Sequence, residues 1–179
     1  MIKEEVAVSK NMTTKDITIT ALMAALVFAG TYYLKIPIPA MGGYIHLGDS
    51  MIFLTVCILG KRKGAAAGAI GAALADLIGG YAIWMVPTFF IKAFMALIMG
   101  VMAEKSNKTY GWVVGCLISC VFQVAAYSAA TAVLFDKASA FAMITGNTVQ
   151  SLGGFLVALV VFTVMHNAGL VSAIRRQLQ

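Results

Sequence analysis

Charged side chains are scarce in this sequence. Of its 179 residues, 11% are Asp, Glu, Lys or Arg and 61% are hydrophobic, whereas an ordinary soluble domain is about 25% charged and about half apolar. A short chain of this composition has too little polar surface to cover itself in water, but a lipid bilayer accepts apolar side chains directly. The composition therefore excludes a water-soluble globule and predicts an integral membrane protein.

Sequence motifs for catalysis and for metal binding are also missing. The only Gly-Lys pair, at residues 60 and 61, is followed by arginine, so no ATP-hydrolysing phosphate loop is present. His46, Asp49 and Ser50 lie close together but lack the G-x-S-x-G turn of a nucleophilic serine. The cysteines lie in apolar runs and lack the spacing of a zinc site. We therefore predict that the protein is not an enzyme and that it has no catalytic residue, metal ion or cofactor.

Charged residues divide the apolar sequence into segments. Each segment is a candidate transmembrane helix, because a helix needs roughly 20 residues to cross about 30 Å of hydrocarbon. The six segments are residues 17–34, 47–60, 64–80, 82–103, 110–135 and 141–170. We predict an all-α integral membrane protein, with six transmembrane helices in one compact bundle over residues 17–170, an N-terminal segment at 1–16 and a C-terminal tail at 171–179.

The sequence does not fix the exact ends of the second, third and fourth helices. The second and third segments are short for full spans. Pro87 is either inside the fourth helix or its first residue, and the second arrangement would leave residues 81–86 as a re-entrant loop.

The basic residues set the orientation of the bundle. With the N-terminus in the cytoplasm, ten of the thirteen lysines and arginines lie on the cytoplasmic side, as the positive-inside rule requires. These ten are Lys3, Lys10, Lys15, Lys61, Arg62, Lys63, Lys105, Lys108, Arg175 and Arg176. Both termini are therefore predicted to be cytoplasmic, and topology explains the net charge of +6 without a nucleic-acid partner.

The longest irregular stretch is the first outer loop, residues 35–46. Its prolines disfavour helix, and its paired glycines permit unusual backbone angles. Such a loop either gates a binding pocket or only connects two helices, and the sequence leaves both possibilities open. The candidate gating residues are Pro37, Pro39, Gly42, Gly43 and His46.

Polar side chains within the apolar segments cluster toward the outer half of the bundle. A charge at the centre of a span costs roughly 2.5–3.5 kcal/mol on insertion scales, so it requires a partner or a hydrated cavity. An outward-opening substrate pocket would satisfy this requirement. Alternatively, Asp76 and Lys92 pair with each other and the amides join neighbouring helices. The candidate pocket residues are Asp76, Trp84, Lys92, Gln123, Tyr127, Asn147 and Gln150.

Small residues form a stripe along the first segment, where Ala21, Ala25 and Ala29 follow one another at a spacing of four. Such a stripe lets another helix approach closely. It either packs inside the bundle or docks a second membrane protein. The third segment carries glycines and alanines at the same spacing, which predicts a central helix.

Several motifs resemble the substrate-binding S component of an energy-coupling factor (ECF) vitamin transporter. They are the first-helix alanines, Gly-Gly-Tyr-Ile-His-Leu-Gly-Asp at 42–49, Lys-Arg-Lys at 61–63, Gly-Ala-Ala-Leu-Ala-Asp-Leu-Ile-Gly-Gly-Tyr at 71–81 and Pro-Thr-Phe-Phe-Ile-Lys at 87–92. The resemblance covers essentially the whole chain and is greatest to the hydroxymethylpyrimidine or pyridoxine (HmpT) branch. It implies a six-helix, multi-pass subunit of the prokaryotic plasma membrane that captures a vitamin outside the cell.

The resemblance also implies partners and a binding site. Members of the family work with a transmembrane coupling subunit of the EcfT type and two ABC ATPases of the EcfA type. They contact the coupling subunit through the small-residue face of the first helix, here Ala21, Ala25 and Ala29. Family ligands lie near the outer ends of the last three helices, which here points to Trp84, Lys92, Gln123, Tyr127, Asn147 and Gln150.

The sequence is compatible with more than one substrate and transport class. A pocket of aromatic rings, amides, one carboxylate and one lysine suits a neutral heteroaromatic alcohol such as hydroxymethylpyrimidine or pyridoxine. Pantothenate is an alternative, because Lys92 would pair with its carboxylate. A standalone ion-coupled secondary transporter is another, although such proteins usually contain repeated halves and the sequence shows no clear repeat.

Overall fold

The computed structural model describes residues 13–38, 43–105 and 109–178. This part of the chain is mostly helical, in agreement with the predicted class, and it also contains one two-stranded sheet. In chain order the elements are α1 (Thr14–Tyr32), β1 (Lys35–Ile38), β2 (Gly43–His46), α2 (Gly48–Leu59), α3 (Lys61–Ile78), α4 (Ala82–Lys105), α5 (Thr109–Leu134), α6 (Lys137–Asn167) and α7 (Leu170–Leu178).

Four of the described helices are long and apolar enough to cross a membrane: α1, α4, α5 and α6. The 12 residues of α2 extend about 18 Å at 1.5 Å per residue, which is short of the hydrocarbon thickness. Helix α3 has 18 residues but begins with Lys-Arg-Lys. The second and third segments are therefore short, as predicted, and six complete crossings stay a prediction.

The first outer loop is more regular than predicted. Strands β1 and β2 pair antiparallel, with Lys35 opposite His46 and Pro37 opposite Tyr44. A two-stranded sheet has only edge strands, so a proline that cannot donate a hydrogen bond is tolerated there. Residues 35–46 therefore include a β-hairpin and are not irregular throughout. The predicted gating residues Pro39 and Gly42 lie outside the described residues.

The alternative prediction of a re-entrant loop at 81–86 is wrong, because α4 begins at Ala82 and Pro87 lies inside this helix. The chain enters the helix through Gly80, which has a φ of 86°, and the Trp84 amide donates to the Tyr81 carbonyl at 2.8 Å. Pro87 is the sixth residue of α4 and has no N–H, so it cannot make the usual hydrogen bond to the carbonyl of residue 83 in the second turn of the helix.

The C-terminal segment is a helix, where a tail was predicted. Helix α6 ends at Asn167, Gly169 turns the chain with a φ of 69°, and α7 follows.

Helix α3 is central, as its small residues predict, and packs against α1, α2 and α4. Gly64 lies against Val56 of α2, and Gly71 lies against the Ala24 carbonyl of α1. A Cβ atom at residue 71 would lie 2.3 Å from that carbonyl oxygen. The close approach of α1 and α3 therefore requires glycine.

Ion pairs join the helix ends at one side of the bundle. Lys61 at the start of α3 lies 2.6 Å from Glu104 at the end of α4, and Lys63 pairs with Asp16 of α1. The Lys15 ammonium contacts the Gln177 carbonyl of α7. We call this side the basic end and the opposite side, which carries β1 and β2, the hairpin end.

Candidate functional site

A buried ion pair connects α2 to α4. The Lys92 ammonium donates to Asp49 Oδ1 at 2.5 Å and to Gln123 Oε1 at 2.7 Å. Gln123 Nε2 donates to Asp49 Oδ2 at 2.7 Å and to Ser151 Oγ at 2.8 Å. Gln150 Nε2 donates to the same carboxylate oxygen at 3.2 Å. We call these residues, contributed by α2, α4, α5 and α6, the ionic layer.

The ionic layer is enclosed by protein. Lys92, Asp49 and Gln123 each have 0% of their surface exposed. A charge at such depth is stable only when it is paired and hydrogen-bonded. Here one ammonium and one carboxylate balance each other, and the two amides supply the remaining hydrogen bonds. The layer is therefore electrically neutral as a whole.

Local sequence explains how the carboxylate reaches this position. Asp49 lies in the first turn of α2, where backbone N–H groups that have no acceptor within the helix favour negative charge. Gly154 lets α6 approach, because a Cβ atom at residue 154 would lie 2.8 Å from the Asp49 Cβ. These two features bring the start of α2 and the middle of α6 together around one carboxylate.

A second group of side chains lies one to two helical turns closer to the hairpin end. Thr88, Tyr127 and Asn147 each stand four residues from a member of the ionic layer, about 6 Å along a helix, and Trp84 and Met143 lie about one turn further. We call this group the aromatic layer. Its members are Trp84, Thr88, Tyr127, Met143 and Asn147.

Ring contacts and one hydrogen bond hold the aromatic layer together. The Tyr127 hydroxyl donates to the Thr88 hydroxyl at 3.0 Å. The ring centroids of Trp84 and Tyr127 are 5.9 Å apart, and the Trp84 ring stacks on Phe135 at 5.9 Å. The Lys92 ammonium lies 5.3 Å from the Tyr127 ring centroid. Tyr127 therefore connects the aromatic layer to the ionic layer.

Asn147 is the member of the aromatic layer whose hydrogen bonding is incomplete. The residue is 8% exposed, and its Nδ2 makes no hydrogen bond within the part of the chain that the structure describes. A buried donor without an acceptor costs about 1–3 kcal/mol. Met143, one helical turn away on α6, packs in one cluster with Trp84 and Tyr127. The Asn147 amide can therefore donate to an acceptor that enters near these rings.

The hairpin reaches the site through His46. Its Nδ1 accepts a hydrogen bond from the Gly48 amide at 3.0 Å. Burial lowers the pKa of His46 to about 4, with the Lys92 charge acting in the same direction and the Asp49 charge opposing it. The imidazole is therefore neutral at neutral pH. A Cβ atom at Gly48 would lie 2.0 Å from Thr31 Oγ1, so glycine is required where the hairpin joins α2.

Six of the seven predicted pocket residues fall into the two layers. Lys92, Gln123 and Gln150 belong to the ionic layer, and the aromatic layer contains the others. These are Trp84, Tyr127 and Asn147.

Asp76 stands apart from Lys92. It is buried on α3, within electrostatic reach of the Tyr127 hydroxyl. Lys92 forms its ion pair with Asp49, so the predicted alternative of an Asp76 and Lys92 pair is wrong.

Four members of the two layers were not predicted from the sequence: Asp49, Thr88, Met143 and Ser151. The signal for Asp49 was its carboxylate at the start of an apolar segment, which needs a partner in the membrane. Its partner is distant in the sequence, so only the folded chain identifies it. Ser151 and Thr88 carry short hydroxyls that can also bond within their own helix, and this ambiguity hides their role.

The alanine stripe of α1 faces away from the bundle core. The α1 residues that pack inward include Ala24 and Val27, whereas Ala21 and Ala25 are exposed and Ala29 is half-buried. Ala21 and Ala25 line an apolar groove of about 590 Å³ between α1 and α3. Internal packing therefore uses a different face of α1, and the alternative that Ala21 and Ala25 pack inside the bundle is wrong.

Comparison with known proteins identifies the family. The family model described as "ECF-type riboflavin transporter, S component" matches residues 11–167. The thiamine precursor transporter HmpT of Lactococcus lactis subsp. cremoris (strain MG1363) is 28% identical over 167 residues, which are 93% of this chain and 96% of that protein. A Pyrococcus woesei protein described as "Uncharacterized protein in gap 3'region" is 34% identical over 128 residues, 71% of this chain and 85% of its own. The chain therefore belongs to the S-component family of ECF-type vitamin transporters, as a multi-pass protein of the cell membrane whose similarity to HmpT supports the predicted branch.

Proposed function

We propose that this protein is the substrate-capture subunit of an ECF-type importer for a small neutral heteroaromatic vitamin or precursor. The candidates are hydroxymethylpyrimidine and pyridoxine. Similarity to HmpT, which is described as a thiamine precursor transporter, favours the first. The observation that carries the proposal is the pair of stacked layers, in which aromatic rings and an unsatisfied amide lie directly above a neutral ionic network. EcfT-type and EcfA-type subunits would supply coupling and ATP hydrolysis.

The charge balance of the ionic layer favours a neutral ligand. The Lys92 ammonium is already compensated by Asp49 at 2.5 Å. A carboxylate ligand such as pantothenate would have to displace Asp49 from Lys92 and leave a buried negative charge without a counterion, which is costly. A neutral ligand exchanges hydrogen bonds with the layer without disturbing this balance.

The aromatic layer suits a flat ring. In this proposal a heteroaromatic ring lies against Trp84 and Tyr127, and a ring nitrogen accepts from Asn147 Nδ2. A hydroxymethyl group then extends toward Gln123 and Gln150 in the ionic layer. The ring nitrogen and the hydroxymethyl group of such a ligand would each meet a group of complementary hydrogen-bonding type.

The orientation follows from the basic end, which we assign to the cytoplasm under the positive-inside rule. Helices α1 to α6 then form the membrane domain, and the aromatic layer lies on the outer side of the ionic layer, beneath the hairpin. The hairpin acts as a gate, with His46 beside the site and Pro37 and Gly43 in its strands.

The groove beside Ala21 and Ala25 is proposed as the contact for the coupling subunit, with Ala29 extending the same stripe. Its lining is apolar and its floor carries small side chains, so a helix of the coupling subunit would approach the α1 backbone closely. Family membership favours this arrangement over a standalone ion-coupled transporter. ATP-dependent uptake that needs the partner subunits would support it, and uptake by this chain alone along an ion gradient would contradict it.

The experiment for the substrate is mass spectrometry of the ligand released from the purified protein, followed by titration with four vitamins. Hydroxymethylpyrimidine or pyridoxine should bind. Tight binding of pantothenate would contradict the neutral-ligand argument. Binding of riboflavin alone would also contradict the proposal and would assign this chain the substrate for which the family is named.

A further inference from the structure

Helix α7 lies across the basic end and has two different faces. Its inner face packs against α2 and α6, and Val171 is 7% exposed within the same hydrophobic core as Phe162. Its outer face exposes Ser172, Arg176 and Gln177. The helix is therefore amphipathic and is held to the end of the bundle by its apolar side.

The polar side of α7 is basic. It exposes Arg176, and the sequence from Leu170 to Leu178 contains no acidic residue. The contact between the Lys15 ammonium and the Gln177 carbonyl adds a second cation beside the last turn of α7. The start of α1 and the end of α7 thus form one positively charged surface.

The acidic residues that the structure describes near this surface already pair with other lysines. Among the described residues of the basic end, Asp16 pairs with Lys63 and Glu104 pairs with Lys61. Arg62, Lys105 and Arg176 form no ion pair with any described residue and remain exposed. The basic end therefore has positive charge to offer to a partner.

We propose that α7 lies in the interface of the bilayer and binds the headgroups of anionic phospholipids. Two observations favour a lipid over a protein. The helix follows the span α6 after a single short turn, which keeps it at the membrane surface, and Leu170 is exposed beside the buried Val171, which suits shallow insertion. The guanidinium of Arg176 matches the geometry of a phosphate, and the Lys15 ammonium adds charge beside it.

The test compares the full-length protein in nanodiscs of phosphatidylcholine with nanodiscs that also contain phosphatidylglycerol. Anionic lipid should slow amide hydrogen exchange in residues 170–178, and native mass spectrometry should detect retained phosphatidylglycerol. Arg176→Gln should lower the apparent lipid affinity of α7, measured by the protection of residues 170–178, about fivefold, as expected for one basic residue at an anionic surface. Lys137→Gln, which removes one exposed charge at the hairpin end, is the matched control and should leave the protection of residues 170–178 unchanged.

Other results would overturn the proposal. Equal exchange rates in the two kinds of nanodisc would do so, as would equal effects of Arg176→Gln and Lys137→Gln. Protection of α7 that requires added EcfT-type and EcfA-type subunits would assign this surface to a protein partner. Because Arg176 lies at the opposite end from the two layers, Arg176→Gln should retain vitamin binding, so this test is independent of the proposed substrate.

Discussion

The Lys92 ammonium lies 2.5 Å from the Asp49 carboxylate, and neither side chain reaches the surface. This pair joins the first turn of α2 to the middle of α4, and both amides of the ionic layer are hydrogen-bonded to it. Under the proposed function, this pair would serve both stability and ligand binding, and substitutions should separate the two effects.

We expect Asp49→Asn to destabilise the protein by about 3–5 kcal/mol, because it leaves the Lys92 charge buried without a counterion. The double variant Asp49→Asn with Lys92→Met should recover much of this loss, since it removes both charges. Ligand binding should stay impaired in both variants. Thermal unfolding in detergent and equilibrium titration measure the two effects, and full recovery of binding in the double variant would make the pair purely structural.

Asn147→Ala should weaken ligand binding about tenfold, the upper range for one hydrogen bond, with little change in stability. The reason is that Asn147 Nδ2 has no acceptor among the described residues, so its removal breaks no bond within the protein there. Gln150→Ala is the contrasting variant, because it removes a hydrogen bond to Asp49 and should lower stability too. A loss of stability in Asn147→Ala without a change in affinity would refute this role for Asn147.

The stability of the hairpin should depend on pH through His46. Burial holds the pKa of His46 at about 4, below its ordinary value of 6.5. Between these values the unfolded chain binds more protons than the folded one, so the free energy of unfolding should fall as the pH decreases from about 6.5 to about 4. In His46→Asn the side-chain oxygen can still accept the Gly48 amide but cannot be protonated. This variant should show a smaller difference between unfolding temperatures at neutral and acidic pH, and an unchanged difference would assign the dependence to other groups.

Lys35 should hold the hairpin closed through two aromatic rings. Its ammonium lies 4.4 Å from the Tyr32 ring centroid and 5.7 Å from that of Tyr81. Tyr81→Leu removes one ring and should increase the ligand dissociation rate, whereas Tyr81→Phe retains the ring face and should not. Stopped-flow measurement of ligand release distinguishes the two variants. Equal rates in both would show that the ring face does not restrain the hairpin.

Ala25→Trp should separate ligand capture from transport. The bulky ring would fill the groove beside α1 and keep a partner helix away, while the two layers lie elsewhere. Vitamin affinity should be near normal, but co-purification with the partner subunits and ATP-dependent uptake should be lost. Leu22→Trp is the control, because Leu22 is also exposed on α1 but does not line the groove. Normal uptake by Ala25→Trp would show that the alanine stripe is not part of the coupling interface.

Periodicity and hydropathy predicted much of the helical structure and six residues of the two layers. Ser119, Gln123 and Tyr127 follow one another at a spacing of four and are all buried on one face of α5, because such spacing fixes direction within a single helix. The same principle identified the faces of α3 that pack closely.

Relationships between distant segments were beyond the reach of such patterns. The pairing of Lys92 with Asp49 depends on how α2 and α4 pack, which no local spacing specifies. The hairpin was hidden by its prolines, since an isolated pair of edge strands tolerates them. Helix α7 was hidden by its shortness and its arginines, since its stability depends on burying Val171 against the bundle.

Isothermal titration of the purified protein with hydroxymethylpyrimidine, with pyridoxine and with pantothenate, repeated on Lys92→Met, tests most directly whether the protein captures a neutral vitamin. We expect one of the two neutral ligands to bind the unaltered protein in a one-to-one ratio, pantothenate not to bind, and Lys92→Met to lose this binding. Binding of pantothenate in preference to both neutral ligands, or unchanged affinity in a folded Lys92→Met protein, would contradict this expectation.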